Sequence, residues 1–259
     1  MPERRRRGRP LPVQPADSYE QFSEIYDLLG FHRFSRLSLE KTRDFLGHTG
    51  LRVSRLLDLA CGTGHYAIAI SKLGVHVEGV DASTGMLERA RHNARTLRGG
   101  PVWTRGTFTE FSASGKFELV TCWFDSLNHL TTDAELLACF RRVRAHLAPS
   151  GAFLFDVNTP AGFQERWPMS EFRSRRSYAV HTQGMAVPGS EFAVLQIEAF
   201  VRRGRAWQRY RLRFVQRGLT PAILEPLLRR ARFRDITFEP FDAGDRLEEA
   251  GRIMVAARN

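Results

Sequence analysis

Several things are scarce in this chain. It holds three cysteines, Cys61, Cys122 and Cys139, each in an apolar context and without paired spacing, which argues against a disulfide framework and a cysteine-based zinc site. No apolar run approaches the ~20 residues of a membrane span. The N-terminal stretch is charged but lacks the apolar centre of a secretory signal. The expected setting is therefore soluble, reducing and cytoplasmic, with no membrane contact. Internal repeats are absent, and the one biased tract is an Arg- and Pro-rich arm over residues 1–16, read as a flexible tail. Lysine is almost missing: Lys41, Lys72 and Lys116 are the only three among 39 basic residues.

The missing lysines bear on the net charge of +11. Such a charge invites a nucleic-acid reading. A basic set made almost wholly of arginine fits GC-rich codon usage better than selection for phosphate contacts, and an arginine-rich arm is ordinarily solvated. Nucleic acid is thus disfavoured as a partner, and a small-molecule acceptor is expected. The length of 259 residues, 42% of them hydrophobic, suits one large domain or a domain with an insertion, as a monomer or homodimer.

What is present is concentrated at Leu56-Leu57-Asp58-Leu59-Ala60-Cys61-Gly62-Thr63-Gly64, an apolar strand running into an acid and a glycine turn. An amphipathic run, His65 to Leu73, follows, then a second apolar run, Val75 to Val80, ending at Asp81. Strand, glycine turn, helix, strand, acid is the layout of a nucleotide-binding βαβ unit. Gly62-Thr63-Gly64-His65-Tyr66-Ala67 also satisfies the dinucleotide pattern, so a dehydrogenase is a rival reading. Asp58 weighs against it. A dinucleotide sets its pyrophosphate on the turn and helix N-terminus, where a carboxylate is repulsive. S-adenosylmethionine (SAM) has no phosphate and brings a sulfonium and an ammonium, both of which suit Asp58. Gly62 and Gly64, without Cβ atoms, let the backbone approach the cofactor closely.

At this point the chain resembles the class I SAM-dependent methyltransferases. Asp58 to Gly64 is similar to their first motif and Val80-Asp81-Ala82-Ser83 to their second. Phe117-Glu118-Leu119-Val120-Thr121-Cys122-Trp123 reads like their fourth strand, and Leu147-Ala148-Pro149-Ser150-Gly151-Ala152-Phe153-Leu154-Phe155 like the turn and fifth strand. The resemblance covers residues 54–158 in order, with 220–259 also fitting. Two positions depart from it. Ala60 replaces the first turn glycine, and Gly106-Thr107-Phe108 stands where Gly-Asp is usual, leaving Thr107 Oγ or a backbone group to meet the adenine. The resemblance implies SAM as cofactor, held by Asp58, Ala60, Cys61, Gly62, Gly64, Asp81, Ala82, Met86, Thr107, Phe108, Trp123 and Phe124.

The expected fold is α/β: a Rossmann-like, doubly wound, mainly parallel seven-stranded sheet with an antiparallel β insertion after strand five. Strands are predicted over 54–60, 75–80, 101–105, 117–123 and 151–157, with helices over 65–73, 84–97 and 132–147. Residues 172–182, 191–203 and 206–217 read as extended, with Arg203-Gly204-Arg205 as a hairpin turn. A helix opening at Thr220-Pro221 and strands near 233–239 and 252–257 close the core. The expected divisions are the arm 1–16, N-terminal helices 17–50 covering the active site and starting at an Asp17 cap, a SAM-binding core 51–160, the insertion 161–218 as an acceptor lid, and a C-terminal core segment 219–259.

Ligands of open α/β sheets sit at the carboxyl ends of strands. The fourth strand ends in Phe124-Asp125-Ser126-Leu127-Asn128-His129-Leu130 and the fifth in Asp156-Val157-Asn158. His129 is the candidate base, since an imidazole titrates near neutral pH; it reads equally well as a capping or merely polar residue. The 123–130 stretch resembles amino-sugar N,N-dimethyltransferases of antibiotic pathways, as does Ile25-Tyr26-Asp27-Leu28, so Tyr19 and Tyr26 join His129 as catalytic candidates. Asp125, Asn128, Asn158, Trp167 and Tyr178 are candidate acceptor contacts. Asp125, Asp156 and Asn158 roughly match acids that hold Mg²⁺ in catechol O-methyltransferases, but the Asp-x-Asn spacing differs and no metal is expected. Ten arginines between 173 and 217 suggest an anionic acceptor, or simply a solvated β face.

The expected activity is methyl transfer to a small molecule in secondary metabolism, to nitrogen ahead of oxygen or carbon. A nucleic-acid methyltransferase stands as a rival, although an Asp/Asn-Pro-Pro-aromatic run is missing and Cys122 lies inside a strand. A non-catalytic SAM-binding protein is the other rival.

Overall fold

The structure, a computed structural model, describes residues 18–258. The 1–16 arm and the Asp17 cap lie outside the described residues. Leu56, Leu57 and Leu59 are buried because β1 (Arg55–Leu59) is a central strand covered on both faces, the reason a parallel strand reads as a near-continuous apolar run. Around it stand β2 (His76–Asp81), β3 (Val102–Arg105), β4 (Phe117–Cys122), β5 (Leu147–Asn158), β10 (Asp235–Pro240) and β11 (Arg252–Arg258). The seven strands are ordered β10-β11-β5-β4-β1-β2-β3, all parallel except β11. The strand order reverses between β1 and β4, so the crevice for a ligand opens there.

Helices α4 (His65–Ser71), α5 (Thr84–Ala94), α6 (Asp133–His146) and α8 (Pro221–Arg230) link the strands. α6 starts on a reciprocal cap, with Thr132 accepting from the Glu135 backbone and the Glu135 carboxylate accepting from the Thr132 backbone. One core cluster joins β4, β5 and β11 to α6 and α8, and a second lies on the other face, around Phe45, Tyr66 and Leu154.

The insertion is a separate antiparallel sheet of β6 (Met169–Arg175), β7 (Tyr178–Ala186), β8 (Phe192–Arg203) and β9 (Ala206–Arg217). The single extended run expected over 172–182 is in fact a hairpin, turning at Arg176-Ser177, a turn without Gly, Pro or Asn to mark it. The turn at Gly204 is as expected, with φ 63°. A short helix, α7 (Pro160–Arg166), precedes the sheet and was not anticipated. β5 begins at Leu147 rather than 151, and its register against β4 shifts between the Phe117–Leu147 and Leu119–Ala152 pairs.

The N-terminal helices α1 (Ser18–Ser23) and α2 (Tyr26–Leu29) pack against the insertion sheet, and after a 3₁₀ turn at Phe31–Phe34, α3 (Ser35–Thr49) packs on the core sheet. The Glu20 carboxylate accepts from the Thr84 and Gly85 backbone N–H groups at 2.7 Å each, which puts an anion on the positive end of α5. Phe22 packs on Phe214 of β9 at 5.2 Å between centroids, in a cluster with Ile25, Leu29, Met86, Ile197 and Leu212. This places α1 as a roof over the carboxyl ends of β1, β2 and β4.

Candidate active site

The turn after β1 begins under strain. Ala60 has φ 54°, a region that favours glycine, and Gly62 and Gly64 follow at 53° and 80°. A Cβ on Gly64 would lie 2.5 Å from the Trp103 ring, and one on Gly79 of β2 would also lie 2.5 Å from it. One indole of β3 is thus wedged against two glycines, holding the turn and β2 together.

Two acids close the far side of this turn. Asp58, at the end of β1, is 3% exposed and accepts the Thr121 hydroxyl at 2.9 Å. Burial pushes its carboxyl up to about 7, Thr121 opposes that, and the nearby Asp81 adds to it. Asp81 accepts from Gly62 N–H at 2.8 Å and Ser83 N–H at 2.9 Å, and burial outweighs these bonds to bring it to about 6. One buried and one half-buried carboxyl, neither with a basic partner among the described residues, form an acceptor set suited to a cationic and hydroxyl-bearing ligand. Such residues fit SAM, whose cationic end Asp58 would meet and whose ribose Asp81 would reach.

The loop after β4 is the second half of the site. Phe124 and Asp125 both have positive φ, 61° and 47°. The Asp156 carboxylate of β5 accepts from both backbone N–H groups, at 2.6 and 3.1 Å, and so fixes this otherwise costly bend. Arg252 of β11 then bridges the two acids, donating to Asp156 at 2.6 Å and Asp125 at 2.7 Å while lying over the Phe34 ring at 4.8 Å. Its charge is reinforced: burial works against it, but Asp125 and Asp156 together raise its pKa above the ordinary arginine value. A guanidinium between these acids satisfies the pair that resembled a Mg²⁺ site, so they are not free to coordinate a dication.

The bend delivers His129, on a short 3₁₀ turn, into the cavity. Its Nε2 lies 2.7 Å from the Tyr19 hydroxyl and 3.4 Å from Gln216 Nε2, which itself donates to Asp125. Burial lowers the His129 pKa, against an opposing pull from Asp125 and the Val215 backbone. Burial likewise holds the Tyr19 phenol well above its usual pKa. Both groups are thus neutral, and because the Gln216 amide N–H also faces His129 Nε2, that nitrogen accepts the Tyr19 hydroxyl.

One cavity joins both halves. Its lining includes Tyr19, Tyr26, Asp58, Ala60, Cys61, Gly62, Gly64, Asp81, Ala82, Met86, Thr107, Phe108, Trp123, Phe124, Asp125 and His129, so every expected cofactor and catalytic position faces one space. Four expected acceptor contacts do not line it. Asn128 is buried and fully committed: its amide donates to the Asn158 and Arg217 carbonyls and accepts from the Asn158 backbone. Asn158 donates to Gln216 Oε1, so this asparagine pair acts on the cavity only through Gln216. Trp167 packs on Phe163 at 4.7 Å, and Tyr178 packs into the cluster beneath α1. The arginines of the insertion also correct an expectation. None lines the cavity; Arg203, Arg209, Arg211 and Arg217 pair instead with Glu24, Glu198, Glu191 and Asp133. Sequence reasoning missed His32, His65, Leu195, Phe214 and Gln216, which also line the cavity. Tyr210, Leu212 and Phe214 alternate on β9 with Arg211 and Arg213, a period-2 signal that marks Phe214, whereas Val215 is buried too and nothing local marks Gln216 or His32.

Comparison with known proteins agrees with this geometry. A family model described as "Methyltransferase domain" matches residues 56–151. A Bacillus subtilis (strain 168) protein named as a methyltransferase, YqeM, is 27% identical over 219 residues, covering 83% of this chain and 86% of the relative. The dTDP-3-amino-3,6-dideoxy-alpha-D-glucopyranose N,N-dimethyltransferase of Streptomyces fradiae is 31% identical over 144 residues, 54% of each chain, so the match spans about half of that relative. The fold is shared with the crystal structure of an S-adenosylmethionine-dependent methyltransferase from Clostridium acetobutylicum ATCC 824, with TM-score 0.76, 22% identity, and 93% of this chain and 98% of that one covered. Residues 56–151 are thus a methyltransferase domain on a Rossmann-like fold. The chain is a SAM-dependent methyltransferase, SAM is its cofactor and a small molecule its acceptor. No described helix is long and apolar enough to cross a membrane.

Proposed function

We propose that this enzyme methylates a nitrogen of a small amine, with His129 as the general base. The observation that carries the reading is the charge of the cavity wall. Asp58, Asp81 and Asp125 line it, and among the described residues no lysine or arginine does. Such a wall favours an ammonium. Once inside, an ammonium has no lone pair for attack, so it must lose a proton. His129 is neutral and its Nε2 holds the Tyr19 hydroxyl, which lines the same cavity, so the Tyr19 oxygen takes the ammonium proton as the phenol proton passes to Nε2.

Bound SAM supplies a methyl on a cationic sulfur, so transfer is an in-line displacement in which alignment does much of the work. The residues align the acceptor in three ways. Phe214 and Leu195 of the insertion and Phe31 of the roof supply apolar walls, while Asp125, fixed by Arg252, places charge opposite them. Tyr19 holds the His129 ring in one tautomer. The insertion serves as the acceptor lid, because β8 and β9 contribute its walls. The Streptomyces fradiae relative, named as an N,N-dimethyltransferase of an amino sugar, supports an amine acceptor; an amino pentose methyltransferase of similar fold, described as involved in calicheamicin biosynthesis, supports a role in secondary metabolism.

The test is a methyl-transfer panel of amines, matched alcohols, catechols and bulk RNA with the wild type and His129→Ala. Amines are expected to turn over best, and His129→Ala to lose about 10²–10⁴-fold in turnover with SAM affinity kept. Preference for the alcohols or RNA, or unchanged turnover in His129→Ala, would overturn the reading.

A further inference from the structure

A second cluster lies at the seam between the roof and the cofactor turn. It is made by Asp27 of α2, His32 of the 3₁₀ turn and His65 at the start of α4. One ligand atom from each lies within 4.8 Å of the others. His65 Nε2 is 3.2 Å from Asp27 Oδ2, and His32 Nδ1 is 3.7 Å from Asp27 Oδ1. Ligands about 2.0–2.1 Å from a tetrahedral ion stand about 3.4 Å apart, so the spacing is already close to that of a bound ion.

Two further observations point the same way. His32 Nδ1 is buried and has no hydrogen-bond partner, although buried ring nitrogens are ordinarily satisfied. The Asp27 carboxylate is held from behind: Thr63 donates to Oδ1 at 2.8 Å, and Asn93 donates to Oδ2 at 3.1 Å and to the Thr63 carbonyl at 3.0 Å. Outer partners that fix a carboxylate in this way are the usual support of a metal ligand. The two imidazoles stack at 4.6 Å and 27°, which fixes their mutual orientation.

We propose that Asp27, His32 and His65 bind a divalent transition ion of the Zn²⁺ class and so clasp the N-terminal roof to the cofactor turn. Two imidazoles and one carboxylate suit Zn²⁺, Co²⁺ or Ni²⁺ and not Mg²⁺ or Ca²⁺, which take oxygen ligands. Three protein ligands leave a fourth position to water. The ion takes no part in methyl transfer. It ties Asp27 and His32, both on the roof, to His65, the first residue after Gly64, and bound cofactor then leaves more slowly.

The test uses the full chain and two probes, Zn²⁺ by calorimetry and Co²⁺ by its visible absorption. The wild type is expected to bind one equivalent of each, with a four-coordinate Co²⁺ spectrum and no competition from Mg²⁺. His32→Phe keeps a stacking ring but removes the nitrogen, and His65→Gln changes the opposite ligand. Each is expected to weaken binding by at least about tenfold, the loss that even an outer partner causes. Circular dichroism melts select the variant that remains folded. Absence of a saturable equivalent in the wild type, or equal affinity in a folded variant, overturns the proposal. A release rate for S-adenosylhomocysteine that Zn²⁺ slows in the wild type and not in His32→Phe supports the clasp, and an equal rate removes it.

Discussion

The affinity for SAM should depend on pH through Asp58. In the free protein its carboxyl titrates near 7 rather than 3.8, chiefly because it is buried with only the Thr121 hydroxyl as donor. A cationic ligand selects the ionised form, so below that pKa binding must expel a proton and affinity falls toward tenfold, or about 1.4 kcal/mol, per pH unit. Asp81 is ionised above about 6, so the range from about pH 6 to 8 reports mainly on Asp58. Calorimetric titration with SAM across that range, in buffers of different ionisation heat, counts the protons. The expected result is release of about half a proton at pH 7, weaker binding at lower pH, and loss of both effects in Asp58→Asn. Folding stability follows the opposite sign. The folded-state pKa is raised, so the stability this group contributes is full below its unfolded value and is lost as pH rises through about 7. The gain in Tm on adding SAM should therefore be larger at the alkaline end. Flat affinity with no proton released, or an unchanged slope in Asp58→Asn, would refute the argument.

Other outcomes follow from the same contacts. Arg252→Met leaves Asp125 and Asp156 buried and unpaired, and urea denaturation should show a loss of about 3–5 kcal/mol. Ala60→Gly relieves a left-handed alanine, and the same measurement should show a gain of about 1 kcal/mol. Tyr19→Phe removes the donor to His129 Nε2; turnover should fall about tenfold with a shifted pH profile, while KM for SAM changes little.

The parallel core was legible in the sequence because its strands are buried on both faces and ended by acids or glycines, as at Leu56–Gly64. Asp58, Asp81 and His129 were legible for the same reason: the first two lie at the ends of strands that announce themselves, and His129 in the loop after another. What the sequence hid was long-range. Arg252 is an ordinary arginine on the last strand until β11 pairs antiparallel with β5 and sets it beside Asp156, 96 residues away. Asn128 and Asn158 carried the right chemistry in the right loops, yet Asn128 spends it on the Asn158 and Arg217 backbone and Asn158 on Gln216. The histidines of the seam come together only when the roof folds back on α4. The β6–β7 hairpin escaped because Arg176-Ser177 offers only a serine, with no Gly, Pro or Asn to mark the turn.

The wedge of Trp103 against Gly64 and Gly79 carries a consequence for how this protein can vary. Gly79→Ala places a methyl 2.5 Å from the indole and should be poorly tolerated alone. A smaller residue at 103 frees that space, at the expense of packing on β3. Positions 79 and 103 are therefore epistatic, and the doubly substituted chain should be fitter than the product of its two single changes. Position 64 gains less from the same exchange, since its φ of 80° keeps it a glycine whatever the size of its neighbour.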